Sequence, residues 1–192
     1  MLFHHLTIVC AAILCAASGV SRCLGADSES RILFPRLTQA ATRDKYGSET
    51  VGTFTYGGRF LCKSDKVMLV RFLDENLDAY IDGWVDASGV VELGDAVPYF
   101  TRRATENPYD DHALMCRGVA NWELRKKEIA IQDIIRAIRL RPDALKYFVY
   151  ASYLQRMGNY DSAARNYSKS LELAVRPTAI QYNEEVNGGS II

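Results

Sequence analysis

His112 and Cys116 are the residues of this 192-residue chain whose types and spacing best suit covalent chemistry. Four positions apart on a helix, the two side chains share a face, so an imidazole there can draw the proton from a thiol. A plainer reading competes with it and is the better expectation. In that reading His112 is a surface residue in the first turn of a helix, after Asp110 and Asp111, and Cys116 is a packing position one turn on. The adjacent carboxylates Asp110/Asp111 and Glu184/Glu185 suit a helix cap and a solvated tail better than paired acid–base work. Beyond Ala26 there is no second histidine at metal-ligand spacing, and no Gly-rich phosphate loop. The expectation is a non-catalytic protein with no metal and no cofactor.

The totals of 3 His and 5 Cys overstate the chemistry on offer. Residues 6–17 (LTIVCAAILCAA) are an almost unbroken apolar run, followed by small and polar residues to Ala26. Twelve residues at helical rise span about 18 Å, short of the ~30 Å hydrocarbon core of a bilayer. The run fits the centre of a secretory signal peptide over residues 1–26, cleaved after Ala26, although His4 and His5 stand where a basic residue is usual. An uncleaved anchor is the alternative. A lipoprotein thiol at Cys23 is a poor match because Arg22 precedes it. On the signal reading the protein is exported, periplasmic or secreted, with no stable membrane span after cleavage. Cys10, Cys15 and Cys23 leave with the signal, so Cys62 and Cys116 remain. They can form one disulfide in an oxidising compartment, or stay as two separately buried thiols, the better expectation.

Charge narrows the function classes further. With 23 basic and 23 acidic residues the chain lacks the excess that phosphate neutralisation requires, so nucleic acid is not an expected partner. A local cluster is present in Arg125-Lys126-Lys127, with Arg136, Arg139 and Arg141 further on. It reads either as a patch for an anionic partner or as a solvated outer face.

Two periodicities divide the elements that position these residues. Residues 50–93 alternate β-branched and aromatic positions between turn residues, predicting five short strands at 51–56, 59–63, 67–72, 79–85 and 90–93. Gly57-Gly58 is expected to turn the first pair. So few residues in such short strands bury a core by curling into a small barrel. Gly83-Trp84-Val85-Asp86-Ala87-Ser88 resembles the closing strand and turn of bacterial Src homology 3-like barrels, and Val51-Gly52-Thr53 with Gly57-Gly58-Arg59-Phe60 is similar to that family's paired strands. The resemblance covers residues 45–93 and implies binding to cell-wall material. The family's Asn-Val-Arg-type opening is missing before Tyr46, and members without ligand-side loops act as spacers. Trp84 is expected in the barrel core.

From Gly94 the period becomes helical. Ala130, Ile134 and Ala137 recur in the same spacing as Ala163, Tyr167 and Ser170, at one constant offset. These columns, with Gly118, Pro142 and the turn Gly158-Asn159-Tyr160-Asp161, resemble tetratricopeptide repeats at 111–143 and 144–177. A capping half repeat precedes them at 94–108, and a tail follows at 178–192 whose first residues could begin another helix. The fold class expected is therefore α+β, a small Src homology 3-like barrel followed by an all-α helix-turn-helix array. Two departures stand out: Arg117 occupies an apolar column, and Arg125-Lys126-Lys127 replaces the usual Gly-containing turn. The resemblance implies a concave groove that binds a peptide or helix of another protein, lined by Met115, Val119, Trp122, Phe148, Ser152 and Gln155. Met115 and Val119 stand in place of the Lys/Asn pattern that clamps a C-terminal carboxylate, so an apolar partner is expected. Trp122 is either its anchor or a residue packed inside the protein.

Overall fold

The computed structural model describes residues 32–37, 40–44, 50–63, 66–73 and 80–175. The expected signal segment at 1–26, with its three cysteines, and the tail with Glu184/Glu185 lie outside the described residues. The chain forms two compact units, one of strands and one of helices.

The strand unit is an antiparallel sheet of seven strands: β1 (Ile32–Pro35), β2 (Ala40–Arg43), β3 (Thr50–Phe54), β4 (Gly58–Lys63), β5 (Val67–Leu73), β6 (Tyr80–Asp86) and β7 (Val90–Glu92). Their order is β3-β2-β6-β5-β4-β1-β7, and the sheet curls without a ladder from β3 to β7 among the described residues. All five strands expected between residues 50 and 93 are present. Two more, β1 and β2, lie ahead of them. The expected β3–β4 hairpin is absent, because β3 pairs with β2 whereas β4 pairs with β5 and β1. Phe54, Tyr56 and Gly58 are all buried, so the link runs inside the unit instead of turning in solvent.

Alternation along β5 and β6 decides which face is the core. Met68, Val70, Phe72 and Val85 point inward with Leu33, Phe54 and Val90. Trp84 is therefore on the other face, half-buried and opposite Leu69 and Arg43, a correction to its expected core position. On that outer face Arg71 donates two 2.6 Å hydrogen bonds to Asp82, its cross-strand neighbour. Asp86 ends β6 by accepting from the Ser88 amide and hydroxyl at 2.7 and 2.6 Å. These bonds hold its carboxyl below the usual range, the side-chain bond contributing most.

The helical unit holds α1 (Leu93–Glu106), α2 (Asp111–Glu123), α3 (Lys127–Leu140), α4 (Ala144–Arg156) and α5 (Tyr160–Val175). Helix α2 pairs with α3 and α4 with α5, and α3 also meets α4. This is the expected helical array. Asp110 and Asp143, at equivalent places in the two repeats, cap α2 and α4. Asp110 accepts from the Ala113 amide at 2.9 Å, and Asp143 from the Lys146 amide at 2.7 Å. The two hairpin turns repeat as closely. Leu124, Arg125 and Lys126 donate their amides to the carbonyls of Ala120, Trp122 and Asn121, and Met157, Gly158 and Asn159 do the same to Tyr153, Gln155 and Leu154.

That pattern is a helix C-terminal motif whose central residue takes the left-handed conformation, normally a glycine. Gly158 sits there at φ 81°, and Arg125 occupies the same place at φ 64°. A side chain in this region costs roughly 1 kcal/mol. Arg125→Gly should therefore raise stability by about 0.5 kcal/mol after the added freedom of the unfolded chain is subtracted, read as a higher denaturation midpoint.

Candidate functional site

Among the described residues, the Cys–His pair is the arrangement that would imply catalysis. Helix α2 does bring the side chains together, with Cys116 Sγ 3.4 Å from His112 Nε2. Contrary to expectation, His112 is not a surface residue. It is buried, with the ring of Phe100 from α1 edge-on at 6.1 Å. Cys116 is a free thiol with no exposed surface, so it takes no part in the possible disulfide with Cys62. Burial pushes the thiol pKa well above its ordinary value, and the nearby Arg103 and Lys146 charges do not reverse this. A reactive cysteine needs the opposite: access, and a lowered pKa. The pair is core packing.

The raised pKa has a consequence for stability. The unfolded thiol ionises at about pH 8.5 while the folded thiol keeps its proton. The unfolded state therefore binds fewer protons above that point, and stability falls as pH rises, by at most about 1.4 kcal/mol per unit. Denaturation midpoints between about pH 8 and 10 should decline in the wild-type chain, and less steeply in Cys116→Ala at a matched reference pH.

Charged residues join the array internally. Lys146, with no exposed surface, reaches from the first turn of α4 to three oxygens. Its Nζ is 2.7 Å from Asp111 Oδ2, 2.5 Å from Asp143 Oδ2 and 2.9 Å from the Arg141 carbonyl. Asp111 belongs to α2 and Asp143 caps α4, so one ammonium links the starts of both hairpins. Arg117 explains its own departure from the apolar column. It donates to Asp133 of α3 through Nε (2.7 Å) and Nη2 (2.6 Å), and this hydrogen bonding raises its pKa. Arg103 of α1 likewise donates to Asp110 at 2.7 Å.

The basic residues do not gather into the patch that an anionic partner would need, which favours the alternative of a solvated outer face. Arg125, Lys126 and Lys127 are exposed in the α2–α3 turn, whereas Arg139 and Arg141 lie a whole helix length away at the far end of α3. Arg141 pairs with Asp111 at 3.2 Å, and Arg136 donates to the Pro108 carbonyl at 3.1 Å.

The six expected groove residues divide by helix. Met115, Val119 and Trp122 on α2 are buried, Met115 completely, so they line no accessible surface. Trp122 stacks on Tyr153 with ring centroids 4.0 Å apart and planes at 3°, under the Lys127 ammonium at 5.7 Å. Burial, reinforced by Glu123, raises the Tyr153 pKa. The corresponding residues on α4 are open: Phe148 and Ser152 are half-buried and Gln155 is exposed. Tyr167 of α5 meets Phe148 edge-on at 5.5 Å and donates its hydroxyl to Gln155 Oε1 at 2.8 Å. Phe148, Gln155 and Tyr167 thus share one aromatic surface with a satisfied polar rim.

Solved structures of MamA are similar to this chain. MamA of MSR-1 is 28% identical with a TM-score of 0.41, over 44% of this chain and 49% of its own. A double mutant of MamA of RS-1 is 22% identical with a TM-score of 0.41, over 42% and 46%. MamA of AMB-1 is 28% identical with a TM-score of 0.40, over 42% and 48%. The chain spans about half the length of these structures. No protein-family model matches it, and neither does any curated protein. At such TM-scores the fold rests on the residues above.

Sequence reasoning missed Lys146 and Tyr153. A lysine in a first helical turn normally reads as solvated. Its signal was the pair Asp111/Asp143, which places one carboxylate at the start of each hairpin.

Proposed function

We propose that this protein is a non-catalytic interaction module of tetratricopeptide type, whose array holds a peptide or helix of another protein against α4. The observation that carries the reading is the accessible surface of Phe148, Ser152 and Gln155 beside Tyr167, on helices whose caps and turns repeat between the two hairpins. Half-exposed aromatic rings with a polar rim suit an apolar segment with one or two hydrogen-bonding groups. The docking surface is narrower than the sequence implied, because the α2 half is closed. The apolar run at residues 6–17 supports export, so the partner would be periplasmic or extracellular.

Selection of displayed peptides on the full chain tests this. Binders should share an apolar core, and Ser152→Arg should weaken them at least about tenfold without changing the melting temperature, since this residue projects from one helix and its hydroxyl bonds only within it. Binders indifferent to Ser152→Arg would move the site off α4.

A second reading has one observation in its favour. Tyr80 is exposed on β6 and alternates with Asp82 and Trp84 on the outer face of the sheet. An aromatic pair on one strand face suits stacking against sugar rings, in keeping with the Src homology 3-like resemblance and cell-wall binding. Retention on purified peptidoglycan that Tyr80→Ala abolishes would support it, and no retention would remove it.

A further inference from the structure

Equivalent columns of the two hairpins differ in whether a further helix lies over them. Helix α4 lies against the first hairpin: it stacks Tyr153 on Trp122, pairs Lys146 with Asp111 and meets α3. There Met115, Val119 and Trp122 are buried, and Ile131, Ile135 and Ile138 of α3 are half-buried. In the second hairpin the same columns hold Phe148, Ser152 and Gln155 of α4 and Ala164, Ser168 and Leu171 of α5. Phe148 and Ser152 are half-buried and the others exposed, Leu171 at 62%. Among the described residues no helix follows α5. The open face is the one that receives a helix in the first hairpin.

The sequence indicates the occupant. Arg141-Pro142-Asp143-Ala144-Leu145-Lys146-Tyr147, which links α3 to α4 and begins α4, returns as Arg176-Pro177-Thr178-Ala179-Ile180-Gln181-Tyr182 directly after α5. Arg, Pro, Ala and Tyr are identical, Thr replaces the capping Asp, and Ile replaces Leu. The exchange of Lys146 for Gln181 is matched on the facing side. Lys146 meets Asp111 in the first turn of α2, and the same column of α4 holds Ala144, which has no charge to meet.

We infer that residues 178–186 dock on this open face of α4 and α5 as α4 docks on the first hairpin, and compete there with a segment of another protein. The competition rests on the reading of α4 as a partner surface, whereas the docking does not. A segment tethered this closely competes at a roughly millimolar effective concentration, so the array selects partners that outbind its own chain.

Hydrogen exchange of the full chain tests the docking. Amides from Ile180 to Val186 should exchange at least about tenfold more slowly than in the Glu185→Pro chain, where proline removes a donor and clashes with the preceding helical turn. Leu171→Asp should release the same amides while α4 and α5 stay protected, because Leu171 is exposed within the array itself. Peptides selected on either chain should bind Glu185→Pro at least about fivefold more tightly than wild type, the competitor having been removed. Exchange at the rate of an unstructured peptide in the wild-type chain, or protection that survives Leu171→Asp, overturns the docking. Protection with equal peptide affinity for both chains overturns the competition. With no peptide sensitive to Ser152→Arg from either selection, the partner reading of α4 fails and the competition with it, while the docking stands on the protection alone.

Discussion

Lys146→Met should lower the stability of the helical array by about 3 kcal/mol, one of the two largest single-residue effects expected in this protein. The ammonium is fully buried and sits within 2.5–2.9 Å of Asp143, Asp111 and the Arg141 carbonyl. Methionine fills most of the volume but leaves two carboxylates facing each other and a carbonyl without its donor. Breaking a buried ion pair from one side costs about 3–5 kcal/mol. The lower end applies because Asp111 and Asp143 keep some contact with water, and Arg141 still pairs with Asp111. In an array of this size the melting temperature should fall by roughly 15 °C. Adding Asp111→Asn to Lys146→Met removes one of the stranded charges and should recover part of the loss. Urea denaturation of the single and double variants, followed by helical circular dichroism, separates the outcomes. A loss under about 1 kcal/mol, the range of an exposed pair, would show that the ammonium does not join the hairpins.

The second large effect is expected at Gly118, where α2 packs closely on α3. A Cβ at this position would lie 2.8 Å from Ile134 Cγ1, 3.1 Å from the Ala130 carbonyl and 3.3 Å from Asp133 Cβ. Gly118→Val must push α3 away, which also opens the Arg117–Asp133 pair; overpacking of this kind costs about 1–3 kcal/mol. Gly118→Ala introduces that same Cβ and should also destabilise, but by less than valine, because its gain in helix propensity of about 1 kcal/mol offsets part of the clash. The equivalent position in the second hairpin is Ala151, fully buried, so the repeat geometry accommodates one methyl there. Both denaturation midpoints should therefore fall, the valine variant's further. Equal midpoints for the alanine and valine variants would mean that the helices do not meet at this residue.

How legible the protein was follows from the same residues. Small residues recurring at Gly118/Ala151 and Ala130/Ala163 define a helix pair on their own, since close approach demands them at fixed spacing. The helix pairs, the cap at Asp110, and the turn at Gly158 were therefore readable. Strands β1 and β2 were not, because segments as short as ILFP and AATR give alternation too little room to register. Gly57-Gly58 misled for a different reason: a glycine pair marks an irregular backbone but says nothing about which strand lies beside it.

Burial was the least legible property. His112 read as a surface residue because it follows two aspartates, yet Phe100 of α1 covers it. Met115, Val119 and Trp122 occupy groove columns, but in this protein α2 is buried along nearly its whole length. Of the residues in those columns, only the ones on α4 remain accessible, half-open at Phe148 and Ser152. Column position alone carries no information about what lies over a helix.

The central claim is that this array captures another protein through α4. A photo-crosslinking side chain introduced at Phe148 in the full chain, in its native cell, tests it most directly. The same group at Tyr109, exposed between α1 and α2, serves as the reference. Crosslinks from position 148 to one protein through an apolar segment, absent from position 109, are the expected result. No crosslink at 148, or the same set of proteins from both positions, would contradict the account.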